Sequence, residues 1–250
     1  MVVNRHICNS NFRPSWIHFI RLYHRRIMKP FFQNKTNQVW FLLTVVLMLF
    51  NIWHVISITP MVPDQHWAQK IFYVHVPSAW VAFLSFFIVM VAGIMFFVKG
   101  DDRWDDVGLA AAEIGTLFTA LVLTTGPIWA TPIWGQPWVW EPRLTTTLIL
   151  FLIYIGYFMM RSFGGHAERV KRYAAALGII AFADVPIIFV SVQFWSPEIQ
   201  SHPQVEMAQQ PMGILVPFLL SLGIFTLLYT LMLKYRIHVI RINNRNVAHV

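Results

Sequence analysis

Apolar residues run along this chain in long unbroken stretches separated by short polar segments, with none of the strict alternation of a half-buried strand. Six runs stand out, at about residues 39–58, 71–98, 107–129, 145–160, 173–195 and 213–233. A run of roughly 20 such residues is long enough to cross a hydrocarbon core about 30 Å thick. Lipid offers backbone N–H and C=O groups no partner, so each run is expected to be a helix, which satisfies them internally. A transmembrane barrel would alternate apolar and polar positions, and these runs do not. The pattern predicts an all-α integral membrane protein, a six-transmembrane-helix bundle spanning residues 38–234. Residues 1–37 and 235–250 flank it as basic segments. Nothing in the chain reads as a soluble domain, an internal repeat or a low-complexity tract.

Composition agrees, since a soluble domain has no means of hiding 57% hydrophobic residues with only 12% charged. Charge adds orientation. The net charge of +8 is spread unevenly. Basic residues precede the first run and follow the second, fourth and sixth, and of the 19 Lys and Arg only Lys70 and Arg143 fall on the other side. The positive-inside rule then puts both termini in the cytoplasm. The basic balance therefore reports orientation and contact with membrane lipid rather than nucleic acid. The single cysteine, Cys8, excludes an intrachain disulfide. The N-terminal segment lacks the short apolar core and cleavage site of a secretory signal, and its stretch 16–32 mixes aromatic and basic residues as a surface-lying segment would.

This orientation leaves three outer connections, at about 59–70, 130–144 and 196–212. The second contains Trp134-Gly135-Gln136-Pro137-Trp138-Val139-Trp140-Glu141-Pro142-Arg143-Leu144-Thr145, with Trp129 just upstream. Pro132, Pro137 and Pro142 argue against a long regular helix there, so an irregular segment or a short helix lying on the outer surface is expected. Such a strip offers a flat aromatic platform with a carboxylate and a guanidinium beside it. It suits a large planar ligand bearing carboxylates, of which haem is one. It equally suits an interfacial anchor, because tryptophan concentrates at membrane–water boundaries.

Outer histidines lie near the strip. His75 begins the second run in Phe72-Tyr73-Val74-His75-Val76-Pro77, where it is either a ligand or a partner for a carbonyl freed by Pro77. His202, in the third outer connection, is either solvated or a second ligand. Low-spin haem iron takes two axial imidazoles from opposite faces. His54 competes as a ligand, and His66 reads as a surface residue. Two acids lie within runs. Glu113, near the cytoplasmic end, is expected to snorkel or to pair with a loop base. Asp184, near a midplane and before Pro186, reads either as polar satisfaction at a kink or as a proton relay. No Walker loop and no His-Glu-x-x-His helix is present, so an ATP-driven process would need its motor in another polypeptide.

The tryptophan strip resembles the haem-handling motif of cytochrome c biogenesis proteins. Tyr73-Val74-His75-Val76-Pro77 is similar to the motif around their first outer histidine. Val185-Pro186-Ile187-Ile188, followed by Ser191-Val192-Gln193-Phe194-Trp195, is similar to the run before their second. Size and span count are similar to the haem exporter protein C family of the cytochrome c maturation pathway, over about residues 67–233. The chain departs from the family pattern at Glu141, where the family has Asp, at Pro142, where it has a small residue, and in an insertion within 197–201 that delays His202.

The resemblance implies haem b as a transferred ligand, held at the outer face of a bacterial inner membrane. It implies His75 and His202 as axial ligands of the iron, and Trp129, Trp134, Trp138, Trp140, Glu141 and Arg143 around the macrocycle. Arg143 faces either a propionate or Glu141. The implied partners are a periplasmic haem chaperone, the ATPase and membrane subunits of an ABC transporter complex, and a small single-span subunit. The resemblance does not make the chain an enzyme in the hydrolytic sense. A haem-bearing electron-transfer subunit and a membrane permease subunit are the competing readings. The first would want facing histidine pairs within spans, the second a continuous polar path, and the runs offer little of either.

Overall fold

A computed structural model describes residues 27–194 and 209–247 of the chain. Every regular element among the described residues is helical, and six segments are long and apolar enough to cross a membrane. The helices are α1 (Lys29–Gln33), α2 (Lys35–Ser57), α3 (Phe72–Lys99), α4 (Asp102–Trp134), α5 (Pro142–Phe163), α6 (Ala167–Ala181), α7 (Asp184–Phe194) and α8 (Met212–Val247). A 3₁₀ turn, His66–Ile71, leads into α3. The all-helical membrane bundle expected from the hydrophobic runs is what forms.

The centre of the bundle is the α3–α4 hairpin. Gly100 ends α3 in the left-handed region at φ 63°, which only glycine adopts freely. Asp101 then caps α4 by accepting a hydrogen bond from the Arg103 N–H at 2.8 Å. Small residues let the two helices approach closely, as membrane helices require when lipid is as apolar as their own side chains. Ala110, Ala111 and Ala112 are fully buried. A Cβ built on Gly115 would lie 2.8 Å from both Phe86 Cε1 and Ser85 Cβ. Gly178 on α6 packs on α3 in the same way, 2.6 Å from Val89 Cγ1. The Phe86 and Tyr154 rings stack at 4.2 Å and bring α5 into this core. α2 joins through α8, where buried Asn51 donates to Ser221 Oγ at 3.0 Å.

Ion pairs collect at the end of the bundle where α3 meets α4. Arg161 grips Asp105 with both guanidinium nitrogens at 2.7 Å, tying α5 to α4. Lys171 on α6 reaches Asp102 at 2.8 Å. Glu113 is held by Arg236, and Asp106 by Arg241 and Asn244. The partner of Glu113 is thus on a spanning helix and not in a loop, because α8 does not stop at 233. At 36 residues and about 1.5 Å per residue it is some 54 Å long and projects well beyond the hydrocarbon core.

Three further boundaries differ from the sequence expectation. α4 runs on through Pro127 and Pro132 to Trp134, so the second outer connection shrinks to residues 135–141. Breaking a helix within or near lipid leaves backbone groups without partners, so the chain stays helical past both prolines. α5 starts at Pro142, where proline's missing N–H has no cost. The fifth run is two helices, interrupted at Phe182 and Ala183. Pro186 has no N–H for the Phe182 carbonyl, which instead accepts from the Val185 N–H at 3.1 Å in a tighter turn.

Candidate functional site

The N-terminus of α3, the C-terminus of α4 and the N-terminus of α5 lie at one end of the bundle, opposite the ion pairs. Their side chains form two adjoining groups. His75, one turn into α3, is buried at 8% exposure. Its Nδ1 lies 2.9 Å from the Thr125 hydroxyl of α4. That hydroxyl also donates to the Leu121 carbonyl at 2.7 Å. A threonine has one hydroxyl proton, so with that proton on Leu121 its oxygen accepts from the imidazole. In a neutral His75 this arrangement suits the Nδ1–H tautomer. Gly126 makes room for the ring, since a Cβ there would sit 3.3 Å from His75 Cε1. Trp129, one turn further along α4, meets the imidazole edge to face at 5.7 Å, and it meets Phe72 at 6.0 Å.

The second group is the strip itself. Gly135, at φ 73°, caps α4 and turns the chain out of the helix. Trp138 is half-buried and Trp140 is 75% exposed, and their rings contact edge to face at 5.7 Å. Trp134 is exposed. Glu141, at the N-cap of α5, is almost completely buried. Arg143 is half-buried one residue inside the helix, within electrostatic range of Glu141.

Polar satisfaction marks this end of the molecule. The Nε1 atoms of Trp129 and Trp138, Nε of Arg143 and Oγ1 of Thr145 are all buried without a hydrogen-bond partner among the described residues. Buried polar atoms nearly always have one. Three of these four groups are N–H donors, two of them on indoles that also present a large apolar face. A ligand that is flat, mostly apolar and edged with carboxylates fits that donor set.

Sequence reasoning reached His75 and the tryptophans but missed Thr125 and Gly126. The local signal was Thr124-Thr125-Gly126-Pro127, two hydroxyls and two poor helix formers inside an apolar run. Of the other histidines, His54 packs on Phe50 of its own helix at 5.8 Å with a buried, unpartnered Nδ1. His66 is exposed, at a left-handed φ of 46°. His202 lies outside the described residues, as does Trp195. No cluster of three or more His, Cys, Asp or Glu that would hold a metal ion exists among the described residues.

Comparison with known proteins supplies the family. A family model described as heme exporter protein C matches residues 22–249. Heme exporter protein C of Bradyrhizobium diazoefficiens is 32% identical over 191 residues, covering 74% of this chain and 71% of the relative. The protein of the same name from Haemophilus influenzae is 31% identical over 212 residues, 83% and 86% of the two chains. That of Paracoccus denitrificans is 29% identical over 182 residues, 72% and 76%. With six apolar helices and this likeness along most of its length, the chain belongs to the heme exporter protein C family and is a multi-pass inner-membrane protein of cytochrome c biogenesis that handles haem.

Proposed function

We propose that this chain binds haem b at its outer, periplasmic end and delivers it to a membrane-anchored periplasmic haem chaperone. The one observation that carries the reading is the state of His75. Its Nδ1 is oriented by the Thr125 hydroxyl, which suits the neutral tautomer in which Nε2 is the iron-ligating nitrogen. Ligating histidines are commonly oriented by a hydrogen bond from the other nitrogen in this way. His75 is one axial ligand and His202 the other. Trp138 and Trp129 lie along the macrocycle, and Arg143 meets a propionate in the bidentate manner of guanidinium and carboxylate. Trp134 and the exposed Trp140, next to buried Glu141, face the chaperone. Iron chemistry belongs to the haem, and the protein supplies position and polarity.

Both termini are cytoplasmic, with the basic segments 1–37 and 235–250 on that side. The chain works beside an ABC transporter ATPase, its membrane subunit and a small single-span subunit, since it has no nucleotide-binding motif of its own.

The test is the absorption spectrum of the purified protein with its variants. Wild type should show a low-spin bis-histidine spectrum. His75→Ala and His202→Ala should each change that spectrum or lower haem occupancy. If His202→Ala leaves ligation intact while His54→Ala or His66→Ala abolishes it, the assignment of the second ligand is wrong. Haem transfer to the chaperone, counted per inserted molecule, tests the strip. Wild-type transfer by a Trp138→Ala, Trp140→Ala double variant would reduce it to an interfacial anchor.

A further inference from the structure

A second concavity lies at the opposite end of the bundle, far from the outer site. It is a groove of about 760 Å³ between α1, α2 and α8. Phe31 and Trp40 form its apolar floor, and Lys234, His238, Arg241 and Arg245 its polar rim. No Asp or Glu lines it among the described residues. Arg241 is partly neutralised by Asp106 at 3.5 Å. Lys234 and Arg245 have no acidic partner among the described residues, and the Lys234 ammonium lies 5.4 Å from the Trp40 ring centroid. Two buried polar atoms at the groove, Asn37 Oδ1 and His238 Nε2, have no partner among the described residues. Asn37 is only 5% exposed, and its amide nitrogen is already committed to the Phe31 carbonyl at 2.8 Å.

We infer that this groove binds the headgroup of an anionic, hydroxyl-bearing glycerophospholipid, of the phosphatidylglycerol class. Three features select that chemistry. The rim stands where α2 and α8 pass from apolar to basic sequence, the depth at which phosphates lie. The unpaired cations ask for an anion, and the Asn37 carbonyl oxygen asks for a donor, which a headgroup hydroxyl supplies beside its phosphate. The floor of Phe31 and Trp40 accommodates the glycerol and the first methylenes. The chain's own residues 1–26 are a poor occupant, because Arg5, Arg13, Arg21, Arg25 and Arg26 would meet a rim of the same charge. The inference relies on the proposed orientation only for naming the cytoplasmic leaflet as the source.

Native mass spectrometry of the full chain released from detergent, titrated with phosphatidylglycerol or phosphatidylcholine, tests it whatever the orientation in a cell. Wild type should retain phosphatidylglycerol in preference to phosphatidylcholine. Each basic residue near a headgroup contributes about fivefold in affinity. Lys234→Gln with Arg245→Gln should therefore bind about thirtyfold more weakly at low salt. Lys234→Arg with Arg245→Lys, which keeps the charge, should bind like wild type and show that the double variant's loss is not misfolding. Arg103→Gln, an exposed cation at the same end outside the groove, should bind like wild type. Equal loss with Arg103→Gln, undiminished binding by the double glutamine variant, or equal retention of phosphatidylcholine would each overturn the site. So would a His238-dependent haemin adduct that phosphatidylglycerol does not displace, since the groove would then belong to a porphyrin dicarboxylate.

Discussion

Thr125 donates its one hydroxyl proton to the Leu121 carbonyl, so its oxygen is placed to accept a hydrogen bond from His75 Nδ1–H, which ties it to the tautomer of the ring as well as to its position. Thr125→Val would strand a buried imidazole N–H, a defect worth about 1–3 kcal/mol. The expected outcome is weaker haem retention through size-exclusion chromatography with little change in helix content, and recovery in Thr125→Ser. Gly126 acts by volume. A methyl group there would press on His75 Cε1 at 3.3 Å, and the ring can give by a few tenths of an ångström. Gly126→Ala should keep a shifted haem spectrum and Gly126→Leu should lose it, both measured against an unaltered circular dichroism trace. At this scale the sequence exposes a lone imidazole beside Pro77 in an apolar run. It does not expose the hydroxyl that holds it, which lies 50 residues away and looks like any helix threonine.

Helices meet here through small residues, and their glycines differ sharply in what surrounds them. A Cβ on Gly115 would sit 2.8 Å from Phe86 and Ser85, whereas one on Gly156 would meet nothing within 4 Å. Gly115→Ala should force the α3–α4 hairpin apart at a cost of about 1–3 kcal/mol. Gly156→Ala should be neutral or slightly stabilising, since alanine is the better helix former by up to about 1 kcal/mol. Thermal unfolding in detergent, followed by circular dichroism, separates the two. Equal transitions would mean that the hairpin is looser than its packing implies. Span positions were legible at this scale because lipid imposes a long apolar run on any crossing helix. The ends were less so. Pro132 suggested a stop that the helix ignores, and the kink foreseen at Pro186 is a full break between two helices.

The molecule as a whole is charge-sorted, with its ion pairs gathered at the basic end and its aromatic strip at the other. Arg161 and Asp105 are largely buried, at 15% and 9% side-chain exposure, so each depends on the other for solvation. Arg161→Met alone should cost about 3–5 kcal/mol, because it leaves Asp105 buried and uncompensated. Arg161→Met with Asp105→Leu should cost less than the single change, which a double-mutant cycle in detergent would measure. Orientation is tested separately by reporter fusions after Lys99 and Lys234, which should be cytoplasmic, and one within 196–212, which should be external. A cytoplasmic signal from the last would put His202 on the wrong side of the membrane for the site proposed.

By itself the sequence determined the architecture, the uneven distribution of its charge and the cluster of tryptophans between two spans. These are local properties, because bilayer thickness and backbone desolvation act on each segment separately, and the strip is contiguous in the chain. Tertiary structure decided what each helix turns toward its neighbours. In lipid almost every face of a span is apolar, so composition carries little record of rotation or vertical register, and packing of small residues sets both. That is why the contact of Thr125 and Gly126 with His75, the pairing of Glu113 with Arg236 on a spanning helix, and the basic groove shared by α1, α2 and α8 emerge only when the helices are assembled.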